Sequence, residues 1–282
     1  MQRMNGSTGR QVNDFLVAEE PLEIRIEGHS IAVVMRTPGE DCELAAGFLV
    51  TEGLVHTSRD LIDISHRPHC VLSESSRSEG NVINVRLRNP ASLDVERLTR
   101  HVFTSSSCGI CSKASIDAVR QQFPPIEDDF QVEPQVLLGL PAALASAQET
   151  FKRTGGLHAC ALFDTAGNLL VLREDVGRHN ALDKVVGWTL LGNRLPLRQH
   201  ILLLSGRASF EMMQKALAAG IPMVAAISAP SSLAVEFARD SRQTLVGFLR
   251  GKKMNLYAGA SRLRQIQPSR RRNPISEIAN LL

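Results

Sequence analysis

Three short, almost wholly apolar runs separated by helical patterns constrain the fold of this chain most. The runs cover residues 201–204, 223–227 and 244–248, and the segments between them fit helices at 210–219 and 233–239. Continuous apolar runs, without alternation, are typical of strands buried on both faces, and intervening helices favour parallel pairing. We therefore expect the second half of the chain to form a buried, largely parallel sheet.

The rest of the chain predicts an α/β fold in two subdomains. An amphipathic helix runs from 137 towards 151, strands follow at 159–163 and 169–172, and a helix covers 180–191. In the first half, alternating residues predict a hairpin of 22–27 and 31–35 and a strand at 81–88, and Asp41 can cap a helix at 42–51. The expected organisation is a disordered arm at 1–14, an N-terminal α+β subdomain at 15–123, a linker at 124–133, a three-layer α/β subdomain at 134–262 and a basic tail at 263–282.

A pair of cysteines carries the clearest chemical signal. Cys108 and Cys111 are separated by two residues, follow three consecutive serines and precede a helical pattern. Serine clusters favour turns and helix caps, so we expect Cys108 in a loop and Cys111 in the first turn of a helix, where free amides favour an anion. One of these sulfurs should therefore have a lowered pKa and raised nucleophilicity.

Small, hydroxylated or basic residues follow each of the three apolar runs. Gly206 and Arg207 follow the first, Ser228 follows the second, and the third leads into Phe248 and the cations of 250–253. Carboxyl ends of parallel strands meet at one sheet edge, where ligands bind, and such turns and cations hold phosphates. This indicates a pocket for a nucleotide or another phosphorylated ligand, which His158 and residues 175–179 can also line. The alternative, that these residues only begin helices and turns, stays open.

Composition excludes several classes of function. The net charge of +3 and the aromatic content of 4% do not favour a nucleic-acid partner. No apolar run approaches the roughly 20 residues of a membrane span, and residues 1–14 lack the apolar core of a signal peptide. The five cysteines are unevenly spaced, unlike a secreted disulfide framework. We expect a cytoplasmic protein without membrane or nucleic-acid partners.

Several long motifs in order resemble the formate dehydrogenase accessory sulfurtransferase family, the FdhD sulfur carriers. They stand at 36–53, 155–159, 174–184, 205–207 and 248–253, together with the Ser-Ser-Cys-Gly-Ile-Cys run at 106–111. The resemblance covers nearly the whole chain beyond the N-terminal arm. Ser112 departs from the glycine expected after the second cysteine.

The resemblance implies a sulfurtransferase. A cysteine desulfurase would place a persulfide on Cys108, which Cys111 would assist or share. The sulfur would pass to the molybdenum of the bis(molybdopterin guanine dinucleotide) cofactor before that cofactor enters the formate dehydrogenase catalytic subunit. The family's cofactor-binding stretch maps onto Phe248, Leu249, Arg250, Gly251, Lys252 and Lys253. The C-terminal subdomain would resemble cytidine deaminases, the protein would be a homodimer, and no resident metal is expected.

Other functions compete with this interpretation. A zinc site can be drawn from Cys108, Cys111, His158 and Cys160, although one CxxC with a distant His-x-Cys is an unusual layout. A zinc deaminase would need a glutamate where Cys160 stands. A thiol–disulfide oxidoreductase would also use a CxxC pair, but this chain lacks the thioredoxin-like sequence pattern and size around it. A cofactor-binding chaperone of formate dehydrogenase would need the pocket but not the cysteines.

Overall fold

The computed structural model describes residues 1–66, 80–90, 123–128 and 130–264. Cys108 and Cys111, the helix predicted after them and the tail beyond Arg264 lie outside the described residues. The strands are β1 Gln2–Asn5, β2 Thr8–Gln11, β3 Glu20–Ile26, β4 His29–Arg36, β5 Leu61–His66, β6 Val82–Leu87, β7 His158–Phe163, β8 Leu169–Asp175, β9 Ile201–Leu204, β10 Met223–Ala226, β11 Thr244–Arg250 and β12 Lys253–Ala258. The helices are α1 Asp41–Thr51, α2 Pro134–Ala147, α3 Glu149–Thr154, α4 Arg178–Leu191, α5 Phe210–Ala218 and α6 Ser232–Asp240.

A four-stranded sheet in the order β4-β3-β6-β5 forms the N-terminal part. Strand β3 alternates as the sequence predicts: Leu22, Ile24 and Ile26 are fully buried, while Glu23 and Arg25 lie on the other face and form an ion pair of 2.7 Å. Helix α1 packs against this sheet with its buried leucines and alanines. A one-sided core of this kind accounts for the predicted alternation.

A six-stranded sheet in the order β12-β11-β10-β9-β7-β8 forms the C-terminal part. Strands β9, β10 and β11 are parallel, as predicted, whereas β7, β8 and β12 run antiparallel to their neighbours. The sheet is therefore mixed. Its apolar strands are buried on both faces: α2 covers one face, and α4, α5 and α6 cover the other. The predicted α/β class with a three-layer C-terminal part is confirmed.

Helices α1 and α4 join the two parts. A single cluster of buried apolar side chains draws members from both sheets, including Ile24 of β3 and Leu202 of β9. Polar groups add to the joint: Lys215 of α5 lies 2.9 Å from Asp183 of α4, which also accepts a hydrogen bond of 2.9 Å from the Thr51 hydroxyl of α1. The N-terminal helix is thereby fixed against the C-terminal sheet.

The structure differs from the sequence predictions at five places. Residues predicted as a disordered arm form the hairpin β1–β2 around a Gly6-Ser7 turn. Both strands are exposed throughout and so show no alternation of buried and exposed residues. The predicted helix from 137 to 151 breaks at Gln148 into α2 and α3. Strands β5 and β12 were not predicted. The predicted linker packs closely, since the Ile126 amide donates to the Ser241 carbonyl.

Candidate functional site

The carboxyl ends of β9, β10 and β11 meet at one edge of the six-stranded sheet, where the sequence predicts a pocket. The Ser228 amide donates to the Gly206 carbonyl over 3.4 Å, and the Phe248 amide donates to the Ser228 carbonyl over 3.0 Å. Backbone hydrogen bonds thus continue past the ends of the strands and bring these three predicted residues side by side. Arg207 follows Gly206 and is exposed at the same edge.

Phe248 has an unusual backbone. Its φ of 51° lies in the left-handed region, and the pairing of β11 with β12 shifts register between Gly247 and Arg250. A non-glycine residue there costs roughly 1–2 kcal/mol, and such outliers cluster at functional sites. The Phe248 side chain is 39% exposed although it is large and apolar. An exposed aromatic ring at the carboxyl end of a strand, on a residue with a strained backbone, suits stacking against a planar ligand.

Positive charge follows directly after this ring. The Arg250 Nε donates to the Ile227 carbonyl over 2.8 Å, and its guanidinium carbon lies 5.8 Å from the centre of the Phe248 ring. Gly251, with a φ of 54°, makes the turn between β11 and β12, and Lys252 and Lys253 at this turn are exposed. This arrangement presents three cations to an anionic ligand.

Leu249 differs from the other residues of its stretch. Its side chain is fully buried and packs in the cluster that α2 forms with the sheet. The side chains of Phe248 and Arg250 are both exposed, on either side of it. Leu249 can therefore offer a ligand only its backbone groups, while its side chain holds the strand in the core.

The loop between β8 and α4 reaches the same edge, because β7 begins and β8 ends there. Asp175, paired in register with His158, is fully buried and lies 2.9 Å from the Nζ of Lys184, also fully buried. One Asp175 oxygen accepts from the Gly177 amide and the other from the Thr37 amide, over 2.8 Å and 3.1 Å. This network fixes the start of α4 and ties the segment after β4 to it.

Basic groups crowd around His158. Burial lowers the pKa of the half-buried His158 imidazole, and the nearby charges of Arg178, His179 and Arg207 lower it further. His179 is itself paired with Glu211 at 3.0 Å. Two of these residues, Arg178 and His179, lie in the motif at 174–184, which was the signal in the sequence for their place at the site. The edge is thus electropositive on both sides of Ser228.

The cysteines within the described residues do not suit sulfur chemistry. Cys160 is fully buried in β7, burial raises the pKa of its thiol far above the ordinary range, and the thiol donates to the Arg178 carbonyl over 3.9 Å. Burial and the nearby Asp41 also raise the pKa of Cys42. The described residues contain no group of three or more His, Cys, Asp or Glu side chains placed to hold a metal ion. They also contain no helix long and apolar enough to cross a membrane.

Comparison with known proteins gives consistent matches over most of the chain. The model of the FdhD/NarQ family matches residues 17–264. A Streptomyces avermitilis protein named sulfur carrier protein FdhD is 53% identical over 253 residues, which are 89% of each chain. A Nocardia farcinica protein of the same name is 49% identical over 260 residues, covering 92% of this chain and 91% of the relative.

A solved structure has the same fold. The crystal structure of a Desulfotalea psychrophila protein, described as a formate dehydrogenase accessory protein, superimposes with a TM-score of 0.73. The match covers 94% of this chain and 97% of the other, at 23% sequence identity. At this identity the likeness shows the fold alone.

Proposed function

Because this chain belongs to the FdhD/NarQ family, we propose that it is a sulfur carrier that serves a formate dehydrogenase. The observation that carries the proposal is the close similarity to proteins named sulfur carrier protein FdhD. The Cys108-x-x-Cys111 pair supports it from the sequence. Of the cysteines in the described part of the chain, neither Cys42 nor Cys160 has the exposure and low pKa that sulfur transfer needs.

The proposed reaction moves one sulfur atom from a persulfide of the desulfurase to the thiolate of Cys108. The Cys108 thiolate attacks the outer sulfur of a desulfurase persulfide, the S–S bond of the donor breaks, and the donor cysteine leaves with the electron pair as a thiolate. Cys108 then carries the sulfur with no net change in oxidation state. On delivery, two electrons from the acceptor turn this sulfur into sulfide, and Cys108 returns to a thiolate. Attack by Cys111 instead would release sulfide and leave a Cys108–Cys111 disulfide.

The proposed cargo is the molybdenum cofactor with two molybdopterin guanine dinucleotides. Its guanine bases and diphosphates fit the chemistry of the sheet edge, which offers an exposed aromatic ring at Phe248 and cations at Arg250, Lys252 and Lys253. Gly206, Arg207 and Ser228 lie beside them, and Arg207 adds one more exposed cation. Molybdenum accepts the sulfur there before the cofactor enters the enzyme.

The partners follow from this reaction. A cysteine desulfurase supplies the persulfide, and the catalytic subunit of formate dehydrogenase receives the sulfurated cofactor. We place the protein in the cytoplasm, where thiols stay reduced, and expect a homodimer that presents one nucleotide site from each subunit to the two nucleotides of the cofactor.

Maturation of formate dehydrogenase in cells tests the proposal. A strain that lacks this protein is supplied with the wild-type chain, with Cys108→Ala or with Cys42→Ala, and formate dehydrogenase is purified from each. Wild type and Cys42→Ala should restore activity. Cys108→Ala should yield enzyme that contains molybdenum and guanine nucleotide but lacks both activity and the sulfur that cyanide removes as thiocyanate.

The alternative, a cofactor-binding chaperone without sulfur transfer, gives the opposite result. It predicts that Cys108→Ala restores full activity, because a chaperone needs the sheet edge and not the cysteine. Loss of molybdenum along with activity in Cys108→Ala would likewise contradict a role confined to sulfur delivery.

A further inference from the structure

We propose that Arg207, already assigned to the cofactor, forms a phosphoryl-binding subsite with His158 and Arg178 at the start of α4. The name phosphoryl subsite is used below for these three residues. They come from three elements: the first residue of β7, the first residue of α4 and the loop after β9. The inference deepens the proposed function, since the phosphoryl group would belong to the nucleotide whose base contacts Phe248.

Arg178 gives the first evidence. Its Nε is buried and has no hydrogen-bond partner among the described residues. A buried donor without an acceptor is costly, and a charged one more so. In native structures such a group calls for an acceptor that the protein chain itself does not supply. An anionic oxygen from a ligand meets that need.

The charge balance around Arg178 gives the second piece of evidence for the phosphoryl subsite. Arg178, Arg207 and His179 are all close enough to His158 to lower its pKa. The acidic groups of the neighbourhood are already engaged: Asp175 pairs with Lys184, and Glu211 pairs with His179. Neither Arg178 nor Arg207 forms an ion pair within the described part of the chain. Two guanidinium groups without carboxylates suit a divalent anion, which arginine binds through paired hydrogen bonds.

Local backbone geometry brings the loop after β9 against His158 and leaves the start of α4 without a side-chain cap. A Cβ on Gly206 would lie 3.3 Å from the Nδ1 of His158, so the loop after β9 packs closely against this imidazole. Helix α4 has 14 residues and begins after Gly177, which offers no side chain to cap its amides. The amide groups of the first turn and the positive end of the helix dipole add to the attraction for an anion.

The subsite also has a fitting position relative to the proposed base contact. Ser228 bonds through its backbone to Gly206 on one side and to Phe248 on the other. The phosphoryl subsite and the Phe248 ring therefore stand on opposite sides of Ser228 along one edge of the sheet. A nucleoside diphosphate laid along this edge would place its base at Phe248 and its phosphates at Arg178 and Arg207.

Calorimetric titration of the full chain tests the inference with three probes: inorganic pyrophosphate, GDP and guanosine. The variants are Arg178→Gln and Arg207→Gln. Arg194→Gln is the matched control, because it removes the same charge beyond the other end of α4, where Arg194 stacks on Trp188. We expect either subsite variant to bind pyrophosphate and GDP about tenfold more weakly than wild type, or weaker still. The affinity for guanosine should stay the same. Arg194→Gln should bind all three as wild type does.

Equal binding of pyrophosphate by wild type and both subsite variants would overturn the inference, as would a wild type that binds neither pyrophosphate nor GDP. A subsite confirmed by pyrophosphate alone, without tighter binding of GDP, would show that the anion is a free phosphate and not part of a nucleotide. Because Arg207 is exposed, its variant keeps the test valid if Arg178→Gln fails to fold. Sulfur loading of Cys108 is measured separately on wild type and on Arg194→Gln, where it should be the same, so failure of the subsite and failure of the sulfur carrier are told apart.

Discussion

Gly47 of α1 and Gly187 of α4 face each other where the two helices cross, and neither position has room for a side chain. A Cβ on Gly47 would collide with the carbonyl oxygen of Asp183, and a Cβ on Gly187 would collide with that of Glu43. The obstacle is backbone on both sides, so no rotamer change can relieve it. The crossing joins α1, which packs on the N-terminal sheet, to α4, which starts at the sheet edge where β9, β10 and β11 end.

Gly187→Ala should therefore destabilise the protein. Overpacking typically costs about 1–3 kcal/mol, and contact with backbone places this site at the upper end of that range. Gly139→Ala in α2 is the control, because Gly139 is exposed and a Cβ there meets nothing within 4 Å. That change should raise the free energy of unfolding by roughly 0.5–1 kcal/mol. Equal effects of the two changes in urea unfolding would contradict the close crossing.

Lys184→Met should lower the free energy of unfolding by more than the same substitution at an exposed lysine does. Asp175 and Lys184 are both fully buried and lie 2.9 Å apart, so the change leaves a buried carboxylate without its counter-ion. Breaking such a pair costs about 3–5 kcal/mol. Lys152→Met, at an exposed lysine of α3, should change stability by no more than about 0.5 kcal/mol. Unfolding midpoints for both variants check this, and a small loss for Lys184→Met would show that Asp175 has other compensation.

Phe248→Gly should separate stability from binding. Glycine removes the strain of the left-handed backbone, so the free energy of unfolding should stay the same or rise by up to about 1 kcal/mol. Loss of the ring should weaken GDP binding by about tenfold, within the range measured for base stacking. Gln199→Gly relieves a similar φ of 57° before the first residue of β9, at the opposite edge of the sheet. It should leave binding unchanged, and weaker binding by both variants would point to a general loosening instead.

His158 should give stability a pH dependence below neutrality. Its folded pKa lies below the unfolded value of 6.5, because of burial and the charges of Arg178, His179 and Arg207, with Asp175 acting in the opposite direction. The unfolded chain therefore binds more protons, and stability that is present above about pH 6.5 is lost as the pH falls through the folded pKa.

The test compares unfolding from pH 8 to pH 5. His158→Gln should lose less stability over this range than wild type, whereas His29→Gln, at an exposed histidine, should follow wild type. If the free energy of unfolding falls with pH as steeply in His158→Gln as in wild type, the His158 imidazole titrates alike in the folded and unfolded states. Added pyrophosphate should shift the wild-type loss to lower pH if the anion stabilises the folded protein.

Much of the fold could be predicted because burial leaves a direct pattern in the sequence. Strand β9 was predicted at its observed bounds, since each of its four residues is apolar and buried. Strands β5 and β12 were missed because they lie at sheet edges, where exposed residues break the pattern. The hairpin β1–β2 was missed because every residue of its two strands is exposed, so their backbone pairing leaves no pattern of buried residues in the sequence.

The site was predictable where topology decides it and not where side chains do. Parallel strands bring Gly206, Ser228 and Phe248 together whatever their side chains are, so the sequence could place them at one edge. The sequence could not show that Leu249 turns into the core, because a bulge shifts its register. Nor could it show that Arg178 keeps a buried Nε without a partner among the described residues, since this depends on how α4 meets β7.

The central claim, that Cys108 carries sulfur, is tested most directly by the mass of the intact protein after incubation with a cysteine desulfurase and cysteine. Wild type and Cys42→Ala should gain one sulfur, roughly 32 Da, which a thiol reductant removes. Cys108→Ala should gain none. Sulfur on Cys108→Ala equal to that on wild type would contradict the account. So would a wild type that gains no sulfur and instead holds one zinc ion per chain.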